Sequence, residues 1–452
     1  MERNKEFLAT EPVGRLLFKL AVPTLIAQLV NMLYNIVDRI YIGHIPEVGS
    51  LALTGLGVCM PVIMIVSAFA ALASVGGAPR ASIFMGKGDT ESAERCLGGC
   101  FTLQAVVSAV LTAMLLLFGR KFLLLFGASE NTISYAWGYL RIYALGTVFV
   151  QITLGMNAFI SAQGFTRTSM ASVMIGAICN IALDPILIFG LDMGVRGAAL
   201  ATIISQAASC VWVLSFLLGK KTLLRLRPAF MRLTPKIIFP CVALGTAVFI
   251  MQSSESIVSI CFNSSLQKYG GDIAVGAMTI LTSVMQFAML PLQGIAQGSQ
   301  PICSYNYGAR NVERVRQTVR LLLICSLTYS VTLWGAVELA PSLFAKLFTP
   351  DKELIDYAAK ALRIYMSGML LFGIQVACQM TFNSLGNAKS SIIVAVMRKF
   401  VLLIPLIYIM PAIMENKVKA VYMAEPIADF LAVAFTSILF YFQFKKSIRE
   451  IS

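Results

Sequence analysis

The chain has 452 residues, 58% of them hydrophobic and only 13% charged, about half the charged share of a soluble protein. The net charge of +14 invites a nucleic-acid reading, but the Lys and Arg residues are dealt out between apolar runs of 20 or more residues. That placement excludes nucleic acid as the partner and marks an all-α integral membrane protein embedded in lipid.

Taken in chain order, a charged head with Arg3, Lys5, Arg15 and Lys19 leads into a first span at roughly 16–42. No short apolar stretch with a cleavage site follows the head, so this span is expected to stay in the protein. It carries Pro23 within LAVPTL and Asp38 within NIVDRIYIG. Spans at 51–79, 93–118 and 132–162 follow, then 168–190 with the stretch CNIALDPILIFG, and 196–219 with Ala198 and Thr202. A basic linker, 220–234, separates these six from spans at 235–263, 272–304, 317–340, 354–385, 390–411 and 418–444. With the head inside, most Lys and Arg fall on the side of both termini, among them Arg80, Arg95, Arg225, Arg310 and Lys445. This positive-inside bias predicts a multi-pass membrane protein with both termini cytoplasmic.

The two sets of spans repeat at an offset of 222 residues. YAWGYLRIY (135–143) stands against YAAKALRIY (357–365) with six identities in nine, and Gly76, Pro79, Ser82 and Gly86 pair with Gly298, Pro301, Ser304 and Gly308. The expectation is two six-helix bundles, 1–219 and 235–452, related by a pseudo-two-fold axis along the membrane normal. Two matched lobes suit alternating access. At the equivalent turns MGKGDTESAER (85–95) and YGARNVERVR (307–316), Asp89 and Asn311 stand where a helix would begin. No GxxxxGK[ST] motif is present, so the chain is expected to carry no ATPase, and no Ser- or His-based constellation suggests an enzyme.

Ionisable side chains inside spans are costly and mark function. Asp38, Asp184 and Thr202 each fall roughly 8–9 Å below the outer surface when depth is counted at about 1.5 Å per residue. Asn180 lies one turn deeper than Asp184, and Pro185 offers the Ile181 carbonyl no N–H. An oxygen-only cluster of this kind suits Na⁺ or a proton shared between carboxylates. At the repeat offset Asn180, Asp184 and Thr202 map to Leu402, Leu406 and Ala424, so the cluster belongs to one lobe. The bland reading has Asp184 capping a local break and Asp38 paired with Arg39. Glu255 in span seven, and the flexible wall of Met285, Gln286 and Met289, are candidates for a cavity or secondary site. Glu425 and Asp429 are expected to pair with Arg398 or Lys399. Pro23 is a candidate for bending the first span. Cys96 and Cys100, one turn apart and without evident His or Cys partners, read as small packing residues.

NIALDPILIFGLDMGVRGAALATIIS (180–205), supported by LAVPTL (20–25), IVDRIYIG (36–43) and SQPICSYNYGARNVERV (299–315), resembles the multidrug and toxic compound extrusion (MATE) transporters, closest to a MepA-like bacterial subgroup. The resemblance covers nearly the whole chain. It implies a V-shaped pair of bundles in a bacterial plasma membrane that exports cationic or amphipathic small molecules in exchange for Na⁺ or H⁺, without a cofactor, each chain working as a monomer. It also implies that Asp38, Asn180, Asp184 and Thr202 bind the coupling cation, that Ala198 helps through its backbone, and that Pro23 takes part in bending the first helix. In another branch of the family a span-seven Glu works with a span-ten Asp; here span ten has only Asp356, at its start. The competing reading is a flippase for lipid-linked precursors, a function found in the same superfamily, which would call for a large polar or cationic cavity.

Overall fold

The computed structural model describes residues 7–348 and 351–452, which are helical with no strand among them; Arg3 and Lys5 lie outside the described residues. Six crossings form the first bundle. They are α1 (Val13–Gly43), α2 (Gly49–Gly86), α3 (Thr90–Leu125), α4 (Ile133–Leu145 with Thr147–Ala162), α5 (Thr166–Pro185, continued by a π-helical turn Ile186–Gly190) and α6 (Val195–Leu218). The next helix, Pro235–Gly308, has 74 residues and would be roughly 110 Å long if straight, far more than a bilayer core of about 30 Å accommodates. Gly271, at φ 67° and ψ −162°, breaks it into α7 (235–270) and α8 (272–308). The second bundle continues with α9 (Val312–Leu339), α10 (Lys352–Tyr365 with Met369–Ser384), α11 (Ala388–Ile413) and α12 (Lys417–Ile451). Twelve crossings in two bundles are therefore present among the described residues.

The single span expected at 132–162 is two helices meeting at 58°. Gly146 sits at the joint, where a Cβ would strike the Ile203 side chain of α6. Small residues there let α4 turn against its neighbour.

Each bundle has its own apolar core. Leu56, Leu140, Phe159 and Met156 fill the first, while Phe262, Leu281, Leu362 and Met369 fill the second. Polar contacts repeat across the two halves with the 222-residue spacing. Ser82 Oγ donates to the Ala162 carbonyl at 2.7 Å, and Ser304 Oγ donates to the Ser384 carbonyl at 2.8 Å. Asp89 Oδ1 caps α3 by accepting from Ser92 N at 2.9 Å, and Asn311 Oδ1 caps α9 by accepting from Arg314 N at 3.2 Å. Even backbone signs agree: Gly88 has φ 77° and its counterpart Arg310 has φ 57°.

The bundles meet on the side that carries the described termini. Gly86 packs on the Tyr305 carbonyl and Gly308 on the Ile83 carbonyl, leaving no room for a Cβ at either. Gly298 abuts Ala21, and Gly294 abuts Leu25, in the same way. Arg314 of α9 donates to the carbonyls of Leu8 and Glu11 at 3.0 and 2.7 Å, and Asn306 of α8 also donates to Leu8, strapping the start of the chain to the second bundle. The linker is tied to the first bundle. Gln163 Oε1 accepts from Thr222, Leu223 and Leu224, while Glu94 pairs with Arg227 at 2.9 Å and accepts from Arg225 N.

Candidate cation site

In the first bundle the structure gathers polar residues of α1 and α5. Asp38, Asn180 and Asp184 are all buried, Asp184 completely. The Asp38 and Asp184 carboxyls lie within hydrogen-bonding reach of each other. Asn180 Nδ2 donates to Asp184 Oδ1 at 3.4 Å. Their register follows from α5: Asn180 and Asp184 are one turn apart, so a single helix face turns both toward Asp38 on α1. Beyond Pro185 the helix continues and widens into the π turn Ile186–Gly190, so the span expected at 168–190 runs through the proline with altered winding.

Three buried oxygens here have no hydrogen-bond partner: Asp38 Oδ1, Asn180 Oδ1 and Asp184 Oδ2. All are acceptors, so another acceptor cannot satisfy them; each calls for a donor hydrogen or a cation. Two full charges about 4 Å apart repel by roughly 4 kcal/mol at an effective dielectric near 20. That repulsion disfavours two ionised carboxylates side by side. Arg39 reaches the Met60 sulfur at 3.7 Å and forms no close ion pair with Asp38 among the described residues, so that part of the bland alternative is not what the structure has.

Thr202 and Asn180 line a cavity of about 50 Å³ together with Asn31, Tyr34, Asn157 and Gln206. Thr202 Oγ1 donates to the Ala198 carbonyl at 3.0 Å, so Ala198 contributes backbone oxygen to the Thr202 hydroxyl. The Tyr139 hydroxyl also lies within hydrogen-bonding reach of Thr202. Asn31, Tyr34, Tyr139, Asn157 and Gln206 are absent from the sequence-derived set. Asn31, Tyr34 and Asp38 follow an i, i+3, i+7 spacing, a one-face polar stripe that the sequence did display. Asn157 Oδ1 and Gln206 Oε1 are further buried acceptors without partners.

Pro23 is buried within a continuous α1, on the termini side, where it lines a groove with Arg15, Lys19 and Arg167. It is thus distant from the carboxylates, as the residue count implied. Gln286 is exposed, and Met285 and Met289 are half-buried against the second core.

Glu255 does not meet an acidic partner. Its carboxylate is 59% exposed and pairs with the buried Lys399 at 2.8 Å. The neighbouring Arg398 bridges Asp429 at 2.7 Å and Glu425 at 3.0 Å, with its guanidinium over the Phe372 ring. These basic residues sit on the π-helical segment Met397–Leu403 of α11, whose altered winding lets consecutive side chains reach separate acids. Each cation is spoken for, so this cluster reads as an ionic tie between α7, α11 and α12, buried except at Glu255.

One expectation about cysteine is overturned. Cys241 of α7 brings its sulfur to 3.4 Å from that of Cys96, and the sulfurs of Cys96, Cys100 and Cys241 all lie within 4.8 Å of one another. The third thiol is 145 residues away in sequence and arrives only through packing of the second bundle's first helix.

Comparison with known proteins agrees with this architecture. The MatE family profile matches residues 23–186 and again 247–409, once in each half. The chain is 25% identical over 415 residues to a multidrug export protein MepA of Staphylococcus haemolyticus, covering 91% of both chains. It is 24% identical over 409 residues to the same-named protein of Staphylococcus aureus strain NCTC 8325, covering 90% of this chain and 89% of the other. Among solved structures, a MATE protein in a bent conformation superposes with a TM-score of 0.93 at 22% identity over 99% of both chains. An outward-facing multidrug resistance MATE transporter superposes at 0.91 and 22% identity, over 99% of this chain and 98% of the other.

Proposed function

This chain belongs to the MatE family of membrane transporters, and from that premise we propose that it is a cation-coupled antiporter that exports cationic or amphipathic small molecules. The observation that carries the coupling is the contact of Asp38 with Asp184, flanked by buried acceptor oxygens without partners. Na⁺ or H⁺ entering from outside would neutralise the pair, with Asn180, Thr202 and the Ala198 backbone completing the surroundings. In the Na⁺ case, Asp38, Asn180, Asp184 and Thr202 are the metal ligands. The lobes 1–219 and 235–452, joined by the linker 220–234, then exchange a closed termini side for a closed opposite side. Pro23 and Pro185 are the places where α1 and α5 give, and Glu255, Met285, Gln286 and Met289 belong to the wall facing cargo in the second lobe. Both termini lie on the cytoplasmic face of a bacterial plasma membrane, and the monomer is the working unit.

The experiment is dye efflux from proteoliposomes in which Na⁺ and pH gradients are imposed one at a time. Export driven by one of the two supports the reading and names the ion. Export indifferent to both gradients would remove the antiport mechanism, and a response to lipid-linked precursors with none to cationic dyes would favour a flippase.

A further inference from the structure

We propose that Cys96, Cys100 and Cys241 form a binding site for a thiophilic divalent cation of the Zn²⁺ or Cd²⁺ class, and that filling it clamps the two bundles together on the termini side. Cys96 and Cys100 lie one turn apart on α3 of the first bundle, and Cys241 comes from α7 of the second. Cys96 and Cys241 are each six residues into their helices, so both sit roughly 9 Å from the helix start. All three are fully buried free thiols, and Cys241 belongs to the same apolar cluster as Cys96 and Cys100 of the first bundle.

The spacing suits a metal. Metal–sulfur bonds of about 2.3 Å place thiolate sulfurs roughly 3.7–4.0 Å apart. The observed 3.4 Å between Cys96 and Cys241, with all three sulfurs within 4.8 Å, therefore needs only small side-chain adjustments. The charge balance also closes: a divalent cation and three thiolates leave one negative charge. Arg80 supplies its complement, since the guanidinium lies against the Cys241 thiol and its buried Nε has no hydrogen-bond partner. Buried charge without compensation would be prohibitive here.

The site joins elements that the repeat keeps apart. At the 222-residue offset Cys96, Cys100 and Cys241 correspond to Thr318, Leu322 and Lys19, so the trio is no part of the shared architecture. Around it the backbones of α2 and α7 touch directly, because a Cβ at Gly76 would run into the Cys241 carbonyl. Movement of α7 away from α2 and α3 must separate the sulfurs, and a bound metal opposes that movement. This clamping rests on the alternating-access reading above; metal binding does not.

The binding test titrates Cd²⁺ into purified, reduced full-length protein and follows the near-ultraviolet thiolate-to-metal charge-transfer band. One saturable Cd²⁺ per chain is expected, unchanged by Cys325→Ser and lost in Cys96→Ser and Cys241→Ser. Arg80→Gln, which keeps all three thiols, should weaken binding roughly tenfold and covers the case in which a cysteine variant does not fold. No saturable band in the wild type, or a band that survives Cys241→Ser in folded protein, overturns the site. In proteoliposomes, Cd²⁺ should arrest wild-type efflux, a chelator should restore it, and Cys241→Ser should be insensitive. Equal inhibition of both proteins overturns the clamp while leaving the binding result to stand by itself.

Discussion

Gly86 and Gly308 occupy equivalent places 222 residues apart and face each other across the bundle interface, Gly86 against the Tyr305 carbonyl and Gly308 against the Ile83 carbonyl. Since Ile83 and Tyr305 are themselves repeat partners, the contact is two-fold symmetric. Absence of a Cβ at both positions lets α2 and α8 approach backbone to backbone, the packing that small residues permit between membrane helices.

Substituting either glycine therefore tests the closed face. Gly308→Ala should destabilise that packing by about 1–3 kcal/mol, because the obstacle is backbone and cannot swing aside. Gly57 has nothing within 4 Å of where its Cβ would be. Gly57→Ala should instead stabilise α2 by about 0.5–1 kcal/mol. Interspin distances between labels on α2 and α8 should broaden only in the Gly308 variant.

Arg398 holds two buried acids at once, so its loss should be costly. Arg398→Ala removes the guanidinium that bridges Glu425 and Asp429 and should lower stability by about 3–5 kcal/mol. Arg398→Lys should recover little of it, because a point-like ammonium cannot span both carboxylates as the guanidinium does. Thermal unfolding in detergent reads both variants. A transport defect with unchanged stability in Arg398→Ala would contradict the structural role.

The two capped corners should respond differently to acid. Hydrogen bonds from Ser92, chiefly, hold the Asp89 carboxyl below its usual range. A depressed folded pKa means that the stabilisation is complete above the unfolded value near 3.9 and fades as pH falls through the folded value. Asn311 does not titrate, so its cap should be indifferent to pH. Hydrogen-exchange protection factors at residues 90–93, taken relative to the intrinsic rate at each pH, should fall in acid while those at residues 312–315 hold, and Asp89→Asn should abolish the difference. Replacing either cap by Ala should cost about 1 kcal/mol.

Much of this was legible in the sequence because membrane burial makes polarity informative. Counting residues from the outer ends placed Asp38, Asp184 and Thr202 at one depth, and a constant repeat offset exposed the cluster as one-sided. The i, i+4 spacing of Asn180 and Asp184 fixed their shared face, and the same offset paired Asp89 with Asn311. What stayed hidden needed packing between distant helices or departures from regular winding. Cys241 joins Cys96 from 145 residues away. Lys399 finds Glu255, and Arg398 two other acids, because α11 passes through a π-helical segment. The bend at Gly146 depends on Ile203 from another helix, which no local pattern announces.

The contact between Asp38 and Asp184 is tested most directly by gradient-driven efflux in Asp38→Asn and Asp184→Asn, reconstituted beside the wild type. Each amide keeps the side-chain shape but removes the charge that attracts the cation. Both variants should remain folded and bind dye while losing gradient-driven export under Na⁺ and pH gradients alike. Undiminished export by both folded variants would contradict the carboxylate pair as the coupling site.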